Sequence, residues 1–229
     1  MLEISDLAVR YGHEEVLRGL DLSVDRNETV AVVGESGTGK TTLALALMGL
    51  IGRRSSRAAV DGRVLLDGTD LRELDAESLK KLRWQRISMV FQNAEDALNP
   101  AYTVYDQVKE PLLEHGCEEE AADRRARSRL NEPGFPGDRH DAYPHQLSMG
   151  EKQRALIAMA FACDPEVVIL DEPVSALDAW SRREVSLLLR RLCADRTAIV
   201  ITHDLACAAS LSDRTAVLYG GRLVEVAPT

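Results

Sequence analysis

Apolar positions along this chain fall into two rhythms. Residues 2–22 alternate apolar and polar about the break Tyr11-Gly12-His13-Glu14-Glu15, which predicts two strands joined by a turn. Thr29-Val30-Ala31-Val32-Val33 and Val167-Val168-Ile169-Leu170 are instead nearly unbroken apolar runs, the pattern of strands buried on both faces of a parallel sheet. Ala198-Ile199-Val200-Ile201 reads the same way, and further strands are predicted at 63–66, before the turn pair Asp67-Gly68, at 87–91 and at 215–218. Helical periodicity predicts helices at 41–50, apolar nearly all round and therefore buried, and at 77–85, 180–193 and 205–211.

The pattern changes between about 93 and 164, where β-branched runs give way to helical periodicity, charge and proline punctuation. The expected organisation is one domain over 1–229: an α/β core with an N-terminal antiparallel β subdomain from 1–92 and 165–229, and an inserted α-helical subdomain at 93–164. Within the insertion, 117–130 reads as a solvated charged helix and 131–137 as a loop, while Gly52 and Arg53-Arg54-Ser55-Ser56-Arg57 read as an exposed connection.

Composition narrows the classes. At 229 residues and 45% apolar, the chain can bury a substantial core, and a net charge of −9 argues against coating nucleic acid, so no nucleic-acid partner is expected. Its four cysteines lack metal or redox spacing and read as reduced thiols of a cytosolic protein. No apolar run is long enough to span a bilayer, so action at a membrane would require another chain as anchor.

The chemistry begins where the first apolar run ends. Gly34-Glu35-Ser36-Gly37-Thr38-Gly39-Lys40-Thr41 is a G-x-x-x-x-G-K-T phosphate loop, a spacing met by chance about once in a hundred chains of this size. Its glycines let backbone N–H groups converge on a phosphate, Lys40 reaches the β/γ oxygens, Thr41 offers a hydroxyl to Mg²⁺, and a helix starting near Lys40 adds its positive end. The expected ligands are a nucleoside triphosphate, which the resemblance described below makes ATP, and Mg²⁺, with Thr42 also at the site.

Asp171-Glu172-Pro173 follows the run at 167–170, at the sheet edge where ligands of open α/β sheets bind. Asp171 can stand near the magnesium shell and Glu172 can polarise a water against the γ-phosphate. Both could also be solvated turn residues. His203, at the end of the run 198–201, reads either as a γ-phosphate contact or as a helix cap beside Asp204.

Taken in order, the phosphate loop, Val90-Phe91-Gln92, Leu147-Ser148-Met149-Gly150-Glu151, Leu170-Asp171-Glu172-Pro173, Ser175-Ala176-Leu177-Asp178 and Thr202-His203-Asp204 resemble the ATP-binding subunit of an ABC transporter over essentially the whole chain. The resemblance implies an adenine-stacking role for Tyr11, where the plain reading is packing at a turn. It implies contact with Mg²⁺ and the attacking water for Gln92, otherwise a loop residue, and signalling across a dimer for Asp178, otherwise a helix cap. It makes Glu172 the catalytic base, Asp171 the magnesium-associated carboxylate and His203 the switch histidine.

Ser148 followed three residues later by Glu151 is also a capping box opening a helix through 163. In the family this helix start, here Ser148, Met149, Gly150 and Glu151, faces the ATP held by a partner subunit. The usual pattern is L-S-G-G-Q, so Met149 stands where a glycine belongs, and its side chain is expected to crowd the facing nucleotide or forbid a positive φ.

Phe91-Gln92-Asn93-Ala94-Glu95-Asp96-Ala97-Leu98-Asn99-Pro100, with Tyr143-Pro144-His145-Gln146-Leu147-Ser148, is similar to importers of peptides and nickel. That implies a second ATPase subunit, identical or not, transmembrane permease subunits, an extracytoplasmic substrate-binding protein, and a place on the cytoplasmic face of the membrane. A soluble ABC ATPase of DNA repair or translation is the alternative. The coiled coils, zinc modules or tandem cassettes of those proteins are absent from this sequence.

Overall fold

The computed structural model describes residues 1–52 and 58–229; the expected exposed connection at 53–57 lies outside the described residues. Two sheets form. The first runs β2–β1–β4–β5, built from β1 (Leu2–Tyr11), β2 (Glu14–Val24), β4 (Ala58–Leu66) and β5 (Thr69–Asp70), all antiparallel. The second contains β3 (Thr29–Val33), β6 (Ile87–Val90), β7 (Val167–Asp171), β8 (Thr197–Thr202), β9 (Arg214–Tyr219) and β10 (Arg222–Pro228) in the order β10–β9–β3–β8–β7–β6. Only the β9–β10 pair is antiparallel; the rest run parallel.

The continuous apolar runs explain the parallel sheet. Every residue of β3, β6, β7 and β8 is buried, and successive side chains divide between two cores as the period of two requires. Val30, Val32, Ile169, Ile199 and Ile201 face a core shared with α1 (Lys40–Leu47) and the antiparallel sheet. Ala31, Val33, Val168, Leu170 and Val200 face the opposite core, shared with the helices α3 (Ala94–Ala97), α4 (Val104–Glu114), α5 (Glu119–Asn131), α6 (Met149–Ala160), α7 (Ala179–Cys193) and α8 (Leu205–Leu211). All regular structure between Val90 and Val167 is helical.

Boundaries differ from the sequence reading where side chains outside the periodic pattern intervene. The helix expected at 77–85 is α2 (Ala76–Leu82), because Arg83 turns extended and donates to the Met48 and Gly49 carbonyls. The helix expected to reach 163 stops at Ala160, and the chain turns back through Asp164 at φ 62°. All four cysteines are free thiols; burial pushes Cys163 and Cys207 up to about 11 and Cys193 to about 12, which makes them poor nucleophiles.

Candidate functional site

Parallel pairing brings four strand ends to one edge. Val33 lies opposite Thr202, Asp171 opposite Ile201 and Val90 opposite Leu170, so the loops after β3, β6, β7 and β8 emerge together.

After β3 the chain enters the phosphate loop. Gly37 and Gly39 have φ of 82° and 101°, in the left-handed region that side chains disfavour. A Cβ on Gly39 would also stand 2.7 Å from Leu17 Cδ2. Gly39 occupies the N-cap of α1 without supplying a side-chain acceptor, so the first-turn N–H groups point toward the loop uncapped by a side chain. Lys40 is only 7% exposed. Its Nζ donates to the Gly34 and Glu35 carbonyls, each at 2.8 Å, and Thr38 Oγ1 donates to the Glu35 carbonyl at 2.8 Å.

Asp171 closes β7 at 1% exposure, and neither carboxylate oxygen has a hydrogen-bond partner. Burial pushes its pKa up to about 6, helped by the neighbouring Glu172 charge and opposed by Thr41 and Lys40. An orphaned buried carboxylate beside a threonine hydroxyl and a phosphate loop has the oxygen chemistry suited to Mg²⁺, so Thr41, Asp171 and Gln92 fit that ion.

Glu172, 6% exposed, takes the left-handed conformation at φ 48°. Three consecutive residues at the end of β8 hold it there. Its N–H donates to the Ile201 carbonyl at 2.8 Å, Thr202 Oγ1 donates to Oε2 at 3.2 Å, and the His203 N–H donates to Oε1 at 3.1 Å. His203 Nδ1 lies 2.7 Å from the same Oε1, so the tautomer protonated on Nδ1 donates to it, leaving Nε2 free on a side chain 55% exposed.

A cavity of about 240 Å³ unites Ser36, Gly37, Gly39, Lys40, Thr41, Thr42, Gln92 and Glu172 with Val16. Val16 was not legible as a site residue, since a valine in an alternating strand carries no chemical mark. Tyr11 sits partly exposed at the end of β1, outside this lining. A larger cavity of about 390 Å³ opens at the opposite strand ends, beside Val167 and Thr197, away from these groups.

Ser148 and its neighbours stand elsewhere. Ser148 caps α6 by the expected reciprocal box: its Oγ accepts from the Glu151 N–H at 3.3 Å, and Glu151 Oε2 accepts from the Ser148 N–H at 2.8 Å. Although burial works against it, Ser148 and Arg139, whose Nη1 is 2.7 Å away, hold the Glu151 carboxyl below the usual range. Met149 is the first helical residue, is not among those with positive φ, and packs partly against the core. The expected backbone conflict at this position therefore does not arise. Gly150 faces Ser181, 3.7 Å from where its Cβ would lie, which places the tip of α6 beside the start of α7. Asp178 caps α7, accepting from the Trp180 and Ser181 N–H groups at 3.0 and 3.1 Å.

Comparison with known proteins adds an independent line. The family model described as ABC transporter matches residues 17–175. The chain is 38% identical to the dipeptide transport ATP-binding protein DppD of Bacillus subtilis over 99% of its own length and 70% of the relative's. It is 40% identical to the oligopeptide transport ATP-binding protein OppD of Mycobacterium tuberculosis over 99% of its length, but spans only 38% of that protein. A dimeric ATP-binding cassette in a post-hydrolysis state with ADP and Pi superposes with a TM-score of 0.88 at 27% identity, covering 100% of this chain and 98% of that one.

Proposed function

The chain belongs to the ABC transporter family, and on that premise we propose that it binds and hydrolyses ATP to power import of peptides. The observation that carries this is the meeting, at one sheet edge, of the phosphate loop, the orphaned Asp171 and a Glu172 carboxylate held by β8. The matched relatives named for dipeptide and oligopeptide transport favour peptides over nickel within the expected branch. The similarity to transport subunits gives the DNA-repair or translation alternative less support.

The chain's residues suit in-line hydrolysis. The loop amides, the α1 N-terminus and Lys40 bind and neutralise phosphate oxygens, exchanging the present Gly34 and Glu35 carbonyl partners of Lys40 for them. Bound Mg²⁺, held by Thr41, Asp171 and Gln92, would offset charge on the β- and γ-oxygens. Glu172 takes the proton of the water that attacks the γ-phosphorus, ADP leaves, and His203 orients the carboxylate through Nδ1. Tyr11 packs the adenine. In a head-to-tail pair, identical or not, Ser148, Met149, Gly150 and Glu151 of one subunit meet the ATP of the other, and Asp178 relays between them. The helical segment 93–164 docks on transmembrane permease subunits at the cytoplasmic face, served by an extracytoplasmic binding protein. No helix among the described residues is long and apolar enough to cross a membrane.

Glu172→Gln tests the reading. It should abolish turnover of the assembled complex while leaving ATP binding intact, and undiminished hydrolysis would refute it.

A further inference from the structure

We infer that Thr202 is a positioning residue for Glu172, its buried hydroxyl fixing the orientation of the carboxylate that receives the proton of the attacking water. This rests on the assignment of Glu172 as the base.

Thr202 ends β8 with 0% exposure, so its hydroxyl must be satisfied inside the protein. The hydroxyl owns one proton. Its oxygen accepts from the Asp204 N–H at 3.0 Å, and an ionised carboxylate can only accept, so the proton points to Glu172 Oε2 at 3.2 Å. Both bonds made to Oε1 come from His203, through its backbone N–H and its ring. Those contacts alone leave the carboxylate free to swing about one oxygen. Thr202 supplies the only second-oxygen restraint among the described residues, and it does so from the core rather than from a ring that is half exposed.

The backbone makes that restraint effective. Glu172 is pinned at φ 48° by its N–H bond to Ile201, the residue preceding Thr202, so main chain and side chain are gripped by one rigid strand end. Asp204, whose N–H returns to Thr202 Oγ1, also caps α8 through Oδ1 to the Ala206 and Cys207 N–H groups. The hydroxyl thus ties the base of one strand to the helix that follows its neighbour. A displacement of the base by about 1 Å can lower turnover by up to about a hundredfold without touching ground-state binding.

The test is ATP turnover by the chain co-purified with its native partners. Thr202→Val keeps shape and branching and removes only the hydroxyl; it should lower kcat by about tenfold with KM for ATP within about twofold. Thr202→Ser should restore kcat to within about threefold. In the Glu172→Gln background, which still binds ATP, Thr202→Val should leave the Kd for ATP within about twofold, because the hydroxyl positions the base and not the nucleotide. Should the valine variant not fold, Thr202→Ala carries the same expectations. Wild-type kcat in Thr202→Val or Thr202→Ala, or an ATP affinity about tenfold weaker on adding Thr202→Val to Glu172→Gln, overturns the inference. Persistent turnover in Glu172→Gln alone overturns instead the assignment of the base on which it rests.

Discussion

Replacing Asp171 by Asn should stabilise the ligand-free protein while abolishing its activity, by an amount that depends on pH. The folded carboxyl is pushed up to about 6 from the ordinary 3.8, because burial disfavours the charge by more than Thr41 and Lys40 favour it. A raised carboxyl pKa means that the folded state holds its proton more tightly than the unfolded one. Ionising Asp171 therefore destabilises the fold, progressively as pH rises from about 4 to 6 and fully above. Linkage across the two values gives a cost of about 3 kcal/mol at pH 7.5 and about 1 kcal/mol at pH 4.5. Asparagine resembles the neutral acid in size and carries its own burial cost at both pH values, so the difference of about 2 kcal/mol isolates the charge. For a chain of this length that is roughly 4–8 °C in the variant's Tm advantage between the two pH values. Thermal melts of both proteins in EDTA at pH 7.5 and 4.5 measure it. Adding Mg²⁺ with ATP should then raise the Tm of the wild type more than that of the variant. A Tm difference that does not change with pH would refute the picture of a charge held without a partner.

Two further substitutions probe the remaining geometry. Gly39→Ala should lower stability by about 1–3 kcal/mol in a denaturant titration and weaken ATP binding, since a Cβ there meets both a φ of 101° and the Leu17 side chain; an unchanged midpoint would show that the loop relaxes freely. Met149→Gly should lower Tm by a few degrees through lost packing at the first turn of α6, and an unchanged Tm would mean that the thioether does not pack; an accelerated turnover would locate it in the path of the facing nucleotide.

The central sheet was legible because strands buried on both faces leave an unbroken apolar run, as at 167–170, and nothing else in the pattern competes with it. The Ser148 box was legible for a local reason, since both bonds close within three residues. Strand β10 was not, because its residues are mostly exposed and a bulge between Leu223 and Glu225 breaks the alternation; only the partner strand β9 defines it. The end of α2 was set by Arg83 reaching carbonyls more than thirty residues earlier, which no window of sequence contains. At the site, the phosphate loop and the acidic pair announced themselves by type and spacing. The grip of Thr202 on Glu172 did not, because a threonine closing a β-branched run looks like one more strand residue, and its hydroxyl acquires meaning only when β7 and β8 lie side by side.

Lys40 rests with its ammonium chelated by two carbonyls of its own loop. That loop is consequently a self-solvated receptor: the arriving triphosphate displaces internal ligands of a cation already stripped of most of its hydration, and the large desolvation penalty of an ammonium has been met during folding. Affinity then reflects the contrast between anionic phosphate and neutral carbonyl as ligands for the same charge, a contrast that grows with each ionised oxygen and so favours the triphosphate over a neutral sugar or base of equal size.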